Sequence, residues 1–266
     1  MVAVNAAFFM TYKTKRVTMT KYNEWVIQSS KEYEIEGRTD FADHNPDKKC
    51  FIIVHGYCGS MYEHMHVAAA QFFCENGYDV IRFNLQSQNY KLRDCTLDTH
   101  AHYLNTVLDQ LCSPYQKIYI SGHSYGGPTV MTAQPKQAQA ICLWDPSFNL
   151  PALWETMDTH DHNDFTILNF DGNEVLAGKA MVHEGRNKYD TDMCLALSEQ
   201  LNCPIQVINA SEGEEFEVYK IDQKSWHSAG HEKNCRIVIP NSDHNFTKGN
   251  TLDQLIEKTY EWFEKF

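Results

Sequence analysis

Short apolar runs separated by helix-patterned segments restrict what this chain can fold into. Phe51-Ile52-Ile53-Val54 is apolar without alternation, as expected of a strand buried on both faces of a parallel sheet. Tyr78–Phe83, Lys117–Ser121 (KIYIS), Ala140–Trp144 (AICLW), 204–209 (PIQVIN) and 235–239 (CRIVI) read as further strands. Between them lie segments with apolar residues at helical spacing. Tyr62–Glu75 closes on Asn76-Gly77, Thr96–Leu111 carries Leu97, Ala101, Leu104, Leu108 and Leu111, and Gly127–Ala133 is a short helix. The C-terminal segment sets Leu252, Leu255, Ile256, Thr259 and Phe263 on one face. Strands alternating with helices imply βαβ units, hence an α/β fold with a mostly parallel central sheet and helices on both faces. From about Arg16 to Phe41, before the turn signal Asn45-Pro46-Asp47, β-branched and aromatic residues among polar ones predict two or three antiparallel strands opening the sheet.

The 266 residues show no internal repeat, low-complexity tract or Pro/Gly/Ser linker, so 1–266 reads as one domain. The alternation lapses only at 148–202, where Trp154, Phe165, Leu168, Phe170 and Leu176 stand among acids and histidines. Such a segment is expected as a small cap over the carboxyl ends of the strands, where open α/β sheets place their sites. With 42% hydrophobic and 22% charged residues the chain has the balance of a globular protein rather than a disordered one. Its net charge of −12 excludes broad nucleic-acid binding and docking on anionic lipid, both of which need clustered Lys and Arg. No apolar run reaches the length of a membrane span, and Met1–Met10 has its positive charges after the apolar stretch, unlike a signal peptide. The nine cysteines lack CxxC spacing and sit mostly in apolar runs. They predict buried thiols in a reducing, cytoplasmic compartment.

The sharpest local signal is Gly122-His123-Ser124-Tyr125-Gly126-Gly127, between the strand KIYIS and a helix. In that context G-x-S-x-G is a nucleophile elbow. The turn is tight enough to strain the serine backbone and to crowd the residues two before and two after it, which glycine at 122 and 126 relieves. The following helix points its N-terminus at the reaction centre, where it favours a developing oxyanion.

Upstream, Val54-His55-Gly56-Tyr57-Cys58-Gly59-Ser60 closes the first buried strand. Together these motifs resemble the α/β-hydrolase family, over Cys50–Pro146 and Cys203–Phe266, with the cytosolic serine-hydrolase and peptidase-like lipase branches looking nearest. The resemblance implies that Ser124 is the nucleophile and that the backbone N–H groups of Tyr57 and Tyr125 form the oxyanion hole. It also implies a base between the last strand and the final helix, where Ser242-Asp243-His244-Asn245-Phe246 looks like the family's D-H-x-F sequence, making His244 that base. The usual acid position after PIQVIN carries no aspartate; Ser211-Glu212-Gly213-Glu214-Glu215 stands there. Two alternatives remain: Asp145, fixed by Pro146 after AICLW, or Glu212 or Glu214 in the acidic loop. A triad acid must be held and desolvated, which favours Asp145. The family's glycine-rich turn after the fourth strand is replaced by Asn84-Leu85-Gln86-Ser87-Gln88, so substrate preference does not carry over.

Other features point to no further chemistry. The His64/His66 and His100/His102 pairs fall on helices, where i and i+2 face apart, and His160/His162 with Asp158, Asp161 and Asp164 reads as a solvated loop, so no metal is expected. No dinucleotide or phosphate-binding fingerprint is present, so no cofactor is expected. Cys58 beside the oxyanion loop has nothing in sequence to activate it. The expected function is a serine hydrolase acting on a small-molecule acyl substrate, an ester ahead of thioesters and small amides. By the same resemblance, serine at the elbow speaks against dehalogenase and epoxide-hydrolase chemistry, which in this family needs an aspartate nucleophile. An acyltransferase using the same acyl-enzyme and an inactive binding protein on the same fold are the alternatives.

Overall fold

A computed structural model of the chain describes residues 21–29, 33–85, 95–170, 173–212 and 234–266. The apolar runs become strands of one eight-stranded sheet. Its first two strands, β1 (Lys21–Gln28) and β2 (Glu34–Phe41), form an antiparallel pair, followed by β3 (Lys49–Val54), α1 (His64–Glu75) and β4 (Tyr78–Phe83). Then come α2 (Leu97–Leu111), β5 (Lys117–His123), α3 (Gly126–Ala133) and β6 (Ala138–Trp144). Spatial order in this part is β1-β2-β4-β3-β5-β6. Every pair from β4 onward is parallel, while β2 meets β4 antiparallel.

The segment after β6, where the alternation lapses in sequence, has regular structure of its own. It folds into α4 (Leu150–Thr156), the strands β7 (Asp158–Asp161), β8 (Phe165–Phe170) and β9 (Asn173–Gly178), then α5 (Lys179–Asn187) and α6 (Thr191–Glu199). The three strands form their own antiparallel sheet. Its inner residues Leu168 and Ala177 join Trp154, Met181 and Val182 in the hydrophobic cluster that also contains Ile52 and Val54 of β3. The chain then re-enters the main sheet as β10 (Ile205–Ala210) and β11 (Cys235–Ile239), parallel to β6 and to each other, and ends in α7 (Thr251–Phe263).

The continuous apolar run of β3 is buried on both faces. Ile52 and Val54 pack with α2 and α3, whereas Phe51 and Ile53 pack with α1 and α7. A polar residue in the apolar stripe of α7, Thr259, is explained by the Trp144 indole N–H, which donates to its hydroxyl at 2.9 Å. Trp262 donates likewise to the Ile141 carbonyl at 2.9 Å, so two indoles dock this helix on β6. The charge inside β4 also has a purpose. Arg82 bonds Asp40 of β2 at 2.7 Å and donates to the Met61 carbonyl at 2.6 Å, tying the loop after β3 to the sheet. Among the described residues no helix is long and apolar enough to cross a membrane. All nine cysteines are free thiols, seven of them buried. Residues 1–20, which include the apolar N-terminal stretch, lie outside the described residues.

Candidate active site

Strand register brings four loops together. β3 is flanked by β4 on one side and β5 on the other, so strand order reverses at its carboxyl end, where a crevice opens. Val54 is level with Gly122, His123 with Trp144, Trp144 with Ile208, and Ala210 with Ile239. The residues that follow each of these strands therefore lie side by side. They are Gly56–Tyr57, Ser124–Tyr125, Asp145, Ser211–Glu212 and the loop to His244.

Ser124 has φ +52°, a left-handed conformation costly for any residue with a Cβ. Its N–H donates to the Trp144 carbonyl at 3.0 Å, and its own carbonyl accepts from Gly127 at 2.9 Å and Ser147 at 3.1 Å, which hold the strained turn. Both glycines of the motif are required by space. A Cβ on Gly122 would lie 2.3 Å from the Gly126 carbonyl oxygen, and one on Gly126 would lie 2.5 Å from that of Val54. Tyr125 is the N-cap of α3, so the helix begins directly after the serine.

Asp145, also at positive φ (41°), is 1% exposed. Its Oδ1 accepts from the Ala210 N–H at 2.9 Å and the Asn209 amide at 3.2 Å, and its Oδ2 accepts from His244 Nδ1–H at 2.7 Å. Three donors thus compensate one buried carboxylate. The bond fixes the tautomer of His244, leaving the lone pair on Nε2. The His244 ring stacks 4.7 Å from that of His123, next to the serine in sequence. Glu212, at the rim of the same crevice, is exposed and pairs with Lys248 at 2.5 Å. Glu214 lies outside the described residues, as do 86–88 of the loop after β4.

Ser124 and His244 face one cavity of about 650 Å³. Tyr57, Tyr125, Glu63, Glu212 and Asp243 also line it, and its far wall is apolar, built from Leu150, Leu153, Trp154, Met157, Leu168 and Met181. That wall belongs to the segment after β6. The Tyr57 hydroxyl donates to the Leu176 carbonyl of β9, linking the loop after β3 to the same segment. His55 is structural. Its Nδ1–H donates to the Gly56 carbonyl at 2.7 Å, its Nε2 accepts from Leu85 at 2.9 Å, and burial pushes its pKa down to about 4. Burial pushes the Cys58 thiol up to about 11, so it is not a poised nucleophile. Asp161, flanked by His160 and His162, is occupied by Lys179 at 2.9 Å and Arg186 at 3.5 Å, and His162 stacks on Phe165.

Three residues of this region were not singled out in sequence. Ser147 Oγ lies 3.4 Å from Ser124 Oγ, and its only sequence signal is a position two after Asp145. His123 and Glu63 face the cavity because of tertiary placement, which leaves no local pattern to read.

A family profile described as alpha/beta hydrolase fold matches residues 49–155. No curated protein matches the chain. Among solved structures, Est1E from Butyrivibrio proteoclasticus superposes with a TM-score of 0.72 at 21% identity, covering 91% of this chain and 98% of its own. Est1E with ferulic acid bound superposes equally well, with a TM-score of 0.72 at 20% identity, covering 91% and 98%. An esterase domain of a Rhodothermus marinus protein gives 0.70 at 12% identity, covering 92% and 98%. Mouse alpha/beta hydrolase domain-containing protein 10 gives 0.68 at 16% identity, covering 91% and 99%.

Proposed function

From an α/β-hydrolase fold, which this chain has, we propose a serine hydrolase that cleaves a carboxylic ester of modest size through an acyl-enzyme, with thioesters and small amides as lesser substrates. The observation that carries this reading is the buried, triply bonded Asp145 holding His244 Nδ1 at 2.7 Å, with His244 facing the same cavity as the strained Ser124. His244 Nε2 takes the Ser124 proton as the hydroxyl attacks the acyl carbonyl. Charge gathers on the carbonyl oxygen, where the N–H groups of Tyr57 and Tyr125 and the start of α3 stabilise it. The imidazolium, steadied by Asp145, gives the proton to the departing alcohol. Water then attacks the acyl-Ser124 ester by the same route in reverse.

Residues 148–202 act as the cap of this single domain, their apolar side chains receiving the acyl part of the substrate. A fluorophosphonate probe tests the reading, because it labels only an activated serine. The wild-type protein is expected to become covalently labelled and to hydrolyse short aryl esters, and Ser124→Ala to do neither while remaining folded. A folded wild-type chain that takes no label refutes the reading.

A further inference from the structure

Among the described residues, two buried imidazoles beside the nucleophile each lack a partner for one nitrogen. His66 on α1 is 1% exposed, and His123 at the end of β5 is 4% exposed. His66 Nδ1–H donates to the Ser60 carbonyl at 3.1 Å, and His123 Nε2–H donates to the His244 carbonyl at 3.0 Å. Carbonyl oxygens only accept, so these contacts place the ring protons. The other nitrogens, Nε2 of His66 and Nδ1 of His123, then carry lone pairs, and neither has a hydrogen-bond partner among the described residues. Burial holds both rings neutral at pH 7, with His66 lowered to about 3 and His123 lowered well below its usual range.

A carboxylate completes the group. Glu63, the residue before α1, lies three positions from His66 and on the same side of the helix. Its Oε1 accepts from the Ser60 N–H at 3.2 Å, and its Oε2 lies 3.5 Å from His66 Nδ1. One oxygen of Glu63 and one nitrogen from each ring lie within 4.8 Å of one another. Two imidazoles and one carboxylate make the donor set of a three-ligand zinc site with an open fourth position. Tetrahedral zinc with bonds of about 2.1 Å spaces its ligand atoms about 3.4 Å apart, so the three side chains must draw closer together to hold an ion. Glu63 and His123 both line the cavity, which gives an ion a path inward.

We propose that Glu63, His66 and His123 bind one divalent transition-metal ion of the zinc type, and that its binding slows the hydrolase. The first half stands without the proposed activity; the second rests on it. Slowing follows from placement. His123 precedes Ser124 and bonds the backbone of His244, and a Cβ on Gly56 would lie 3.5 Å from His123 Nδ1 and 3.0 Å from Ser124 Cβ. Drawing His123 toward a metal therefore displaces the elbow, the base loop and the oxyanion loop together.

Calorimetry with Zn²⁺ at pH 7 tests the site without any turnover. A Cys58→Ser background removes the one exposed thiol. One ion per chain is expected to bind, and Glu63→Gln and His66→Asn are each expected to weaken binding at least about tenfold. Asparagine at 66 keeps a donor for the Ser60 carbonyl, and Glu63 is half-buried, so Glu63→Gln provides a variant that leaves the core packing intact. Zn²⁺ should lower ester turnover in the Cys58→Ser protein and lower it far less in Glu63→Gln. No binding, or binding that both variants retain, overturns the site and leaves a trapped water as the partner of the two lone pairs. Tight binding with unchanged turnover overturns the inhibitory half alone. A protein that binds Zn²⁺ yet takes no fluorophosphonate label fails the proposed function and not the site.

Discussion

Mild acid should strongly destabilise this protein at a pH where ordinary carboxylates are still charged. His55, His66 and His100 are each 1% exposed, and burial lowers them to about 4, 3 and 3. In the unfolded chain each titrates at about 6.5. The unfolded state therefore takes up the proton first, and the stability these neutral rings contribute is present above ~6.5 and lost as the pH falls toward the folded values. At pH 5 each ring costs about 2 kcal/mol relative to neutrality, and the three together about 6 kcal/mol, against a total stability of about 5–15 kcal/mol. That cost is set by the distance below ~6.5 and barely depends on the folded values while they stay under about 4.5. His123 is shifted in the same direction. Glu63 and Glu184, whose carboxyls burial raises, take up protons earlier in the folded state and offset part of the loss. Urea unfolding followed by tryptophan fluorescence at pH 7, 6, 5.5 and 5 measures the effect. The midpoint should fall steeply below pH 6 and stand well below its pH 7 value at pH 5. A midpoint at pH 5 equal to that at pH 7 would refute the reasoning, because those rings would then have to be solvated or charged in the native state.

Three further outcomes follow from the same geometry. Asp145→Asn should lower kcat about 10⁴-fold, by analogy with the serine-protease triad, whereas Glu212→Gln, exposed and paired with Lys248, should stay within about tenfold of wild type. The reverse ranking in steady-state ester hydrolysis would move the acid to the loop after β10. Gly126→Ala puts a Cβ 2.5 Å from one backbone oxygen and 2.8 Å from another. Neither can swing away, so a loss of about 1–3 kcal/mol and a Tm lower by several degrees are expected by calorimetry. Gly185→Ala drives a Cβ to 1.8 Å from Trp154 Nε1 and must shift that indole, which lines the cavity. KM for longer acyl chains should change by about tenfold, the worth of roughly one methylene in an apolar pocket, and an unchanged chain-length profile would detach Trp154 from substrate choice.

What could be read from sequence divides by the range of the constraint. β4 runs over the residues its apolar pattern predicts, because a strand buried on both faces leaves few polar positions within it except where a partner compensates, as Asp40 does for Arg82. The elbow is legible for the same reason. Its constraint lies within five residues, where two glycines and a serine are the whole requirement. The sheet β7-β8-β9 is not legible, since its strands DTHD, FTILNF and NEVLAG are short and β7 is largely solvent-facing, and pairing with one another, not core burial on both sides, holds them together. The choice between Asp145 and Glu212 depends on something still less local. Which loop can reach His244 is decided by β10 inserting between β6 and β11, which carries the Ala210 N–H and the Asn209 amide onto Asp145 and leaves Glu212 out by Lys248. The group of Glu63, His66 and His123 is the extreme case. His64 and His66 look like a failed clamp in sequence, and as a pair they are one, because His64 turns outward to the Asn245 carbonyl. Only the stacking of α1 against the end of β5 gives His66 a different neighbour, and with it a chemistry that no spacing in the chain could have announced.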